Sequence, residues 1–168
     1  MGGPKALLAL DGETLLQRAA RIAGEAGCDP VFAVVGDWDP GPLSAKAIRN
    51  PAAAEGMASS IRAGIAALPP EAERALLLVV DQVAVDGTLL RRLLALADAD
   101  LERPVACAYS GTLGIPAVLP RRLFPELLAL RGDRGAKAIL LREDATALPF
   151  PEGALDLDTP EDLDRLRR

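Results

Sequence analysis

Asp81 closes an unbroken apolar run, Ala75-Leu76-Leu77-Leu78-Val79-Val80, and is the first side chain in this sequence to test for chemistry. The run is far shorter than the roughly 20 residues a bilayer span requires. It is also too uniformly apolar for a strand with one wet face. A strand buried on both faces, as in parallel sheets covered by helices, has this composition. In open sheets of that kind ligands bind beyond the carboxyl ends of the strands, where Asp81 falls. The competing reading is an aspartate that only caps the next turn, and the run by itself leaves both open. Three further groups fall at expected strand ends or strand-to-helix loops: Gly2-Gly3-Pro4-Lys5, residues 50–60, and Asp156-Leu157-Asp158. Glycines beside a lysine can cradle phosphate with backbone N–H groups and one point charge; alone, Lys5 reads as a solvated surface lysine. Gly56 with Ser59 and Ser60 suits an anion at a helix N-terminus, or ordinary capping. Asp81 with Asp158 or Asp156 suits Mg²⁺, an oxygen-seeking ion that usually takes one or two carboxylates beside substrate phosphates; Asp158 can equally serve as a helix cap. Together these groups fit displacement of pyrophosphate from a nucleoside triphosphate, a reaction that is mostly positioning and charge neutralisation. An attacking phosphate is already ionised and needs no general base.

Composition narrows the alternatives. The chain has 168 residues, suited to a single domain over 1–168, and is 50% hydrophobic. The net charge of −5 argues against a nucleic-acid backbone as partner. Histidine is absent, which removes Ser-His-Asp and Cys-His nucleophile systems and every zinc site with a histidine ligand. Cys28 and Cys107 make neither a disulfide framework nor a metal cluster and read as buried, inert thiols. With no signal peptide or membrane span visible, the expected location is cytoplasmic, with no membrane partner.

These groups must be positioned by alternating strands and helices. Leu15, Leu16, Ala19, Ile22, Ala23 and Ala26 keep helical spacing, and Gly27 ends that helix. Residues 31–35 read as a buried strand, and 46–49 as an ambiguous short one. Gly56 and Ser59-Ser60 open a helix with the stripe Ile61, Ile65, Leu68, which Pro69-Pro70 ends. A helix over about 88–97, strands at 105–109 and 117–119, a helical stretch over 120–130, a helix at 136–141 and short extended pieces at 145–148 and 154–157 follow. Thr159-Pro160-Glu161-Asp162 opens the last helix with a capping hydroxyl and a proline at the first helical position. The alternation predicts a three-layer α/β/α, Rossmann-like domain with a mostly parallel sheet.

The order of motifs resembles the MobA-like nucleotidyltransferases. Met1-Gly2-Gly3-Pro4-Lys5, Asn50-Pro51 with Glu55-Gly56-Met57 and Ser59-Ser60, and Leu78-Val79-Val80-Asp81-Gln82 carry the likeness. So do Gly114 and Pro116, Gly132-Asp133-Arg134-Gly135-Ala136-Lys137, and Leu155-Asp156-Leu157-Asp158-Thr159-Pro160-Glu161-Asp162. The combination is most similar to the molybdenum-cofactor cytidylyltransferase branch. That resemblance implies the nucleotide-diphospho-sugar transferase type of fold and transfer of CMP from CTP to molybdopterin. It implies Mg²⁺ as cofactor and, as a further partner, a molybdoenzyme or its chaperone. It also implies that Lys5 contacts the triphosphate and that Asp81 binds the metal with Asp158 and Asp156. Gly2, Gly3, Asn50, Gly56, Met57, Ser59 and Ser60 would line the nucleotide site. Gly114, Pro116, Gly132, Asp133, Gly135 and Lys137 would lie near the acceptor. The rivals are a guanylyl- or sugar-phosphate nucleotidyltransferase of the same superfamily, using GTP or another acceptor, and a non-catalytic cofactor-binding module.

Three departures from the family pattern carry expectations. The family has a central first strand and a glycine-rich turn before the position of Met1, so the sheet is expected to lack that strand. Residues 6–10, which could pass for it by composition, are then an extended piece. Val83 stands where the family has proline, and Ile115 where it has histidine. From these, weak CTP binding and little turnover are expected of the 168-residue chain.

Overall fold

A computed structural model describes residues 4–154. Asp156 and Asp158, and Gly2 and Gly3 of the opening motif, lie outside the described residues.

The chain enters through a 3-10 turn, Lys5–Leu7, and a two-residue strand β1, Ala9–Leu10, antiparallel to β2, Glu13–Thr14. Residues 6–10 are therefore neither a central strand nor one extended piece. The turn Asp11-Gly12, with φ of 52° and 89°, folds them back into a miniature hairpin. Helix α1, Leu15–Glu25, starts on a reciprocal cap: Thr14 Oγ1 accepts from Gln17 N at 3.1 Å and Gln17 Oε1 accepts from Thr14 N at 2.8 Å. The Thr-x-x-Gln spacing announces this cap in the sequence, and Gly27 (φ 103°) ends the helix as expected.

Strand β3, Phe32–Val35, pairs in parallel with β4, Lys46–Arg49, so the ambiguous segment is a strand. Helix α2, Met57–Ala66, precedes β5, Arg74–Leu77, and α3, Gly87–Ala99, follows it. β6, Val105–Tyr109, and β7, Thr112–Pro120, form a hairpin. Beyond a 3-10 turn at Arg121–Leu123, the expected helix over 120–130 shortens to α4, Phe124–Leu128. Helix α5, Lys137–Arg142, strand β8, Thr146–Pro149, and a 3-10 turn at Pro151–Ala154 complete the described chain.

The α/β class stands, and the sheet is mixed. β6 and β8 are parallel, whereas β7 runs antiparallel to both β5 and β6, giving the order β5-β7-β6-β8. Strand alternation sends Val105, Cys107, Val118 and Leu148 toward α1 and α3, where they meet Ile22, Leu90 and Leu93. Ala106, Ala117 and Leu119 go to the opposite face, against Ile65, Leu127 and Leu140 of α2, α4 and α5. The two apolar clusters are the two interfaces of a three-layer domain. Cys107 is fully buried, and burial pushes its thiol up to about 12, as an inert core cysteine requires.

The expected central strand is corrected in one respect. β5 ends at Leu77, and residues 76–81 are half-buried rather than enclosed. Among the described residues β5 has a single ladder partner, β7, and β3 has only β4, so the sheet is divided between β3 and β5. The same helices cover both parts. α1 gives Leu16 to β3, and α2 gives Gly64 close to Val34, where an added Cβ would stand 3.4 Å from Val34 Cγ2.

Candidate functional site

Asp81 leaves β5 four residues after the ladder ends and opens a tight turn. Val83 N donates to Asp81 O at 3.1 Å, Val85 N donates to Gln82 O at 3.1 Å, and Arg18 Nη2 reaches Val85 O at 2.9 Å. Asp86 then caps α3, its Oδ1 accepting from Leu89 N at 2.7 Å. The capping role considered for Asp81 thus belongs to Asp86.

Val80 explains how this turn meets the chain's opening. It packs against Leu10 and Leu15 and also against Leu16, Ala33 and Val35. Ala6 packs on the second of those clusters, so Lys5 and Asp81 are each one residue from side chains that share one apolar patch. Val83, in place of the family's proline, packs with Leu8 on Leu10 and Leu15. The substitution supplies a contact between the Asp81 turn and the N-terminal hairpin.

Segments 50–60 and 132–135 meet. Asn50 is 5% exposed. Its Nδ2 donates to Ser59 Oγ at 2.8 Å and to Ser60 Oγ at 3.2 Å, and its Oδ1 accepts from Ala52 N at 3.0 Å. Ser59 Oγ donates in turn to Gly56 O at 2.8 Å. Gly56 has φ of 117°, and a Cβ there would stand 2.2 Å from Asp133 Oδ1 and 2.8 Å from Gly132 O. Gly132 O accepts from Ala58 N at 3.0 Å, so a carbonyl from the far loop already caps the start of α2. A Cβ on Gly135 would stand 3.0 Å from Met57 Sδ, and Met57 is 52% exposed. Glu55 and Arg62 brace the junction through a two-pronged pair at 2.8 and 2.5 Å. Arg62 also donates to Leu130 O at 2.8 Å, and Gly132 N donates to Glu55 Oε1 at 3.3 Å. Arg62 foremost, then the Gly132 N–H, lowers the Glu55 carboxyl to about 2. Asn50 and Ser59 are therefore bracket residues that shape this surface, while Met57, Asp133 and Lys137 are its exposed members.

Gly114 and Pro116 occupy the hairpin. Tyr109 Oη donates to Ile115 O at 3.0 Å, and a Cβ on Gly114 would stand 2.3 Å from that hydroxyl oxygen. Gly114 is small because Tyr109 lies over it. Pro116 is fully buried, and Ile115 packs on the α2–α4–α5 interface. A shallow hollow of about 350 Å³ opens beside Tyr109, lined by Gly111, Thr112, Leu113 and Leu141.

Two polar residues of this region take roles that the motifs did not give them: Gln82, read only as the partner of Asp81 in the motif, and Tyr109, which belongs to no motif. Gln82 is 4% exposed, with Nε2 donating to Tyr109 Oη at 3.1 Å and to Gly153 O at 3.0 Å. Its Oε1 is buried without a hydrogen-bond partner among the described residues, a situation that costs about 1–3 kcal/mol. The sequence signal for Gln82 was its place beside Asp81 in the motif, which says nothing of these bonds; Tyr109 had none.

Among the described residues no group of three His, Cys, Asp or Glu side chains stands ready to hold a metal. Asp81 offers a carboxylate oxygen, the donor type a hard cation takes when phosphates, water and one or two carboxylates complete its shell.

No curated protein matches the chain in sequence. Solved structures do. Rv0371c from Mycobacterium tuberculosis H37Rv superposes with a TM-score of 0.77 at 27% identity, over 99% of this chain and 90% of that one. A manganese complex of Rv0371c gives 0.75 at 26%, over 98% and 92%. The 2-C-methyl-D-erythritol 4-phosphate cytidylyltransferase of Thermus thermophilus gives 0.71 at 18%, over 98% and 92%, a likeness of fold. The MobA-like NTP transferase domain matches residues 1–147. With that span of the chain accounted for, and the Asp81 turn and the Gly56–Gly132 junction within it, this protein belongs to the MobA-like NTP transferase family and is a nucleotidyltransferase by family.

Proposed function

We propose that this chain transfers CMP from CTP to the phosphate of a molybdopterin-type acceptor and releases pyrophosphate. The observation that carries the reading is the junction at Gly56 and Gly132–Asp133, which sets the segment assigned to the nucleotide against the segment assigned to the acceptor. An ionised acceptor phosphate attacks the α-phosphorus of CTP in line, a new phosphorus–oxygen bond forms, the α–β bridge breaks, and pyrophosphate leaves with both electrons. No proton has to be abstracted.

Lys5 would contact the triphosphate, and Asp81 would hold the divalent ion together with Asp158 and Asp156, which lie outside the described residues. When bound, Mg²⁺ neutralises charge on the phosphates. Manganese in Rv0371c, 26% identical to this chain, supports a divalent ion here. Met57 and Ser60 line the nucleotide side, and Asp133 and Lys137 the acceptor side. The proposed site of the reaction is the cytoplasm.

Pyrophosphate release with CTP and with GTP, with and without molybdopterin, tests the reading. It should be measured on this chain and on a version preceded by a family-type strand and glycine turn. Release that requires CTP and molybdopterin and disappears in Asp81→Asn supports it. Preference for GTP or a sugar phosphate moves the chain to another branch. Ligand binding without metal-dependent turnover in either version leaves a non-catalytic module.

A further inference from the structure

We propose that Gln82 is a positioning residue that fixes the direction in which the Asp81 carboxylate leaves β5. The proposal rests on Asp81 being the metal-binding carboxylate of the proposed function.

The hydrogen bonds around Gln82 run in one sense. Gly153 O and Ile115 O can only accept. Tyr109 Oη donates to Ile115 O at 3.0 Å and therefore accepts from Gln82 Nε2 at 3.1 Å, while the same nitrogen donates to Gly153 O at 3.0 Å. Turning the amide over would aim its oxygen at Gly153 O. The orientation of the side chain is thus set by β6, by β7 and by the 3-10 turn Pro151–Ala154. Small residues make the room: a Cβ on Gly153 would stand 2.6 Å from both Tyr109 Cδ1 and Phe150 Cδ1. Phe150 in turn meets the Tyr109 ring edge-on, with centroids 6.5 Å apart.

An amide is a poor choice here if packing is the only purpose. Its Oε1 has no partner among the described residues, a penalty that methionine, of similar shape, would avoid. What the amide gives is two directional bonds that tie the turn to the far end of the sheet. Neighbouring Cα atoms are about 3.8 Å apart, so anchoring a buried Gln82 constrains the half-buried Asp81 beside it.

The test compares wild type, Gln82→Met, Tyr109→Phe and Asp81→Asn as full chains. It reads the thermal midpoint, amide exchange at Val83 and Val85, and CTP binding in the presence of Mn²⁺. In Gln82→Met the relief of the unpaired Oε1 is offset by the acceptor left unpaired at Gly153 O, so the thermal midpoint should stay close to wild type while exchange at both amides quickens about tenfold and Mn²⁺-dependent CTP binding weakens about tenfold. Tyr109→Phe, which removes one of the two acceptors, should fall between and carries the test if Gln82→Met fails to fold. Exchange and binding within about twofold of wild type, or a thermal midpoint that drops in step with binding, would overturn the proposal. Faster exchange in a protein whose wild type binds no Mn²⁺–CTP supports the anchoring of the turn and overturns the functional reading instead. Binding lost in Asp81→Asn but unchanged in Gln82→Met does the reverse.

Discussion

Gly56 and Asp133 approach so closely that a single added carbon on Gly56 would sit 2.2 Å from the Asp133 Oδ1. The contact joins the start of α2 to the loop before α5. It depends on a backbone conformation, φ of 117°, that side-chain-bearing residues rarely adopt.

Gly56→Ala should therefore damage stability and geometry together. Backbone strain at such a position costs about 1–3 kcal/mol, and the displaced Asp133 adds to it. A lowered thermal midpoint, with loss of the Ala58 N to Gly132 O protection in amide exchange, checks this. An unchanged midpoint would mean that the loop yields freely.

Asn50→Ala should cost about 1–3 kcal/mol in denaturant unfolding, because it strips buried partners from Ser59 Oγ and Ala52 N. A variant equal in stability to wild type would show that the bracket contributes nothing. If Asn50 acts only through the bracket, nucleotide affinity should recover at temperatures low enough to keep the variant folded.

Asp81→Asn should leave the thermal midpoint within about 1 °C, since Asp86 and not Asp81 caps α3. In the version preceded by a family-type strand and glycine turn, turnover should fall more than about 100-fold under the proposed role of Asp81 as a metal-binding carboxylate. Single-turnover pyrophosphate release is the measurement, and retention of the wild-type rate would remove Asp81 from the chemistry.

Glu55 predicts an acid-sensitive junction. Its carboxyl is lowered from 4.5 to about 2, first by Arg62 and then by the Gly132 N–H. A carboxyl held below its unfolded value stabilises the fold fully above that unfolded value, and the contribution is lost as pH falls from about 4.5 through about 2. Glu55→Gln should be the less stable protein at neutral pH, and the gap should close over that window. The pair is partly exposed, so the difference is modest and shrinks in high salt. Thermal melts across the acid range, with and without added salt, read it.

Local chemistry made much of the fold legible. Helical spacing at residues 15–26 with Gly27, the 105–109 strand and the paired prolines after Leu68 each depend on neighbours a few positions away, and α1, β6 and the end of α2 formed as expected. The motif order sufficed for the family, whereas Asp81, expected at a strand's end, lies in a turn four residues beyond β5. Pairing was another matter. That β7 runs antiparallel between β5 and β6, that the sheet divides beside β5, and that residues 6–10 fold into a small hairpin are decided by which backbone groups find partners across the molecule. Periodicity cannot report on that. The same holds for the site. Sequence supplied Gly56, Asn50, Gly132 and Asp133 as residue types, but only tertiary structure shows Gly132 O capping α2, Asn50 serving as a bracket, and Tyr109 requiring Gly114 to be small. Residue type sets which bonds a side chain can make; the meeting of distant segments in a close-packed interior sets which of them it does make.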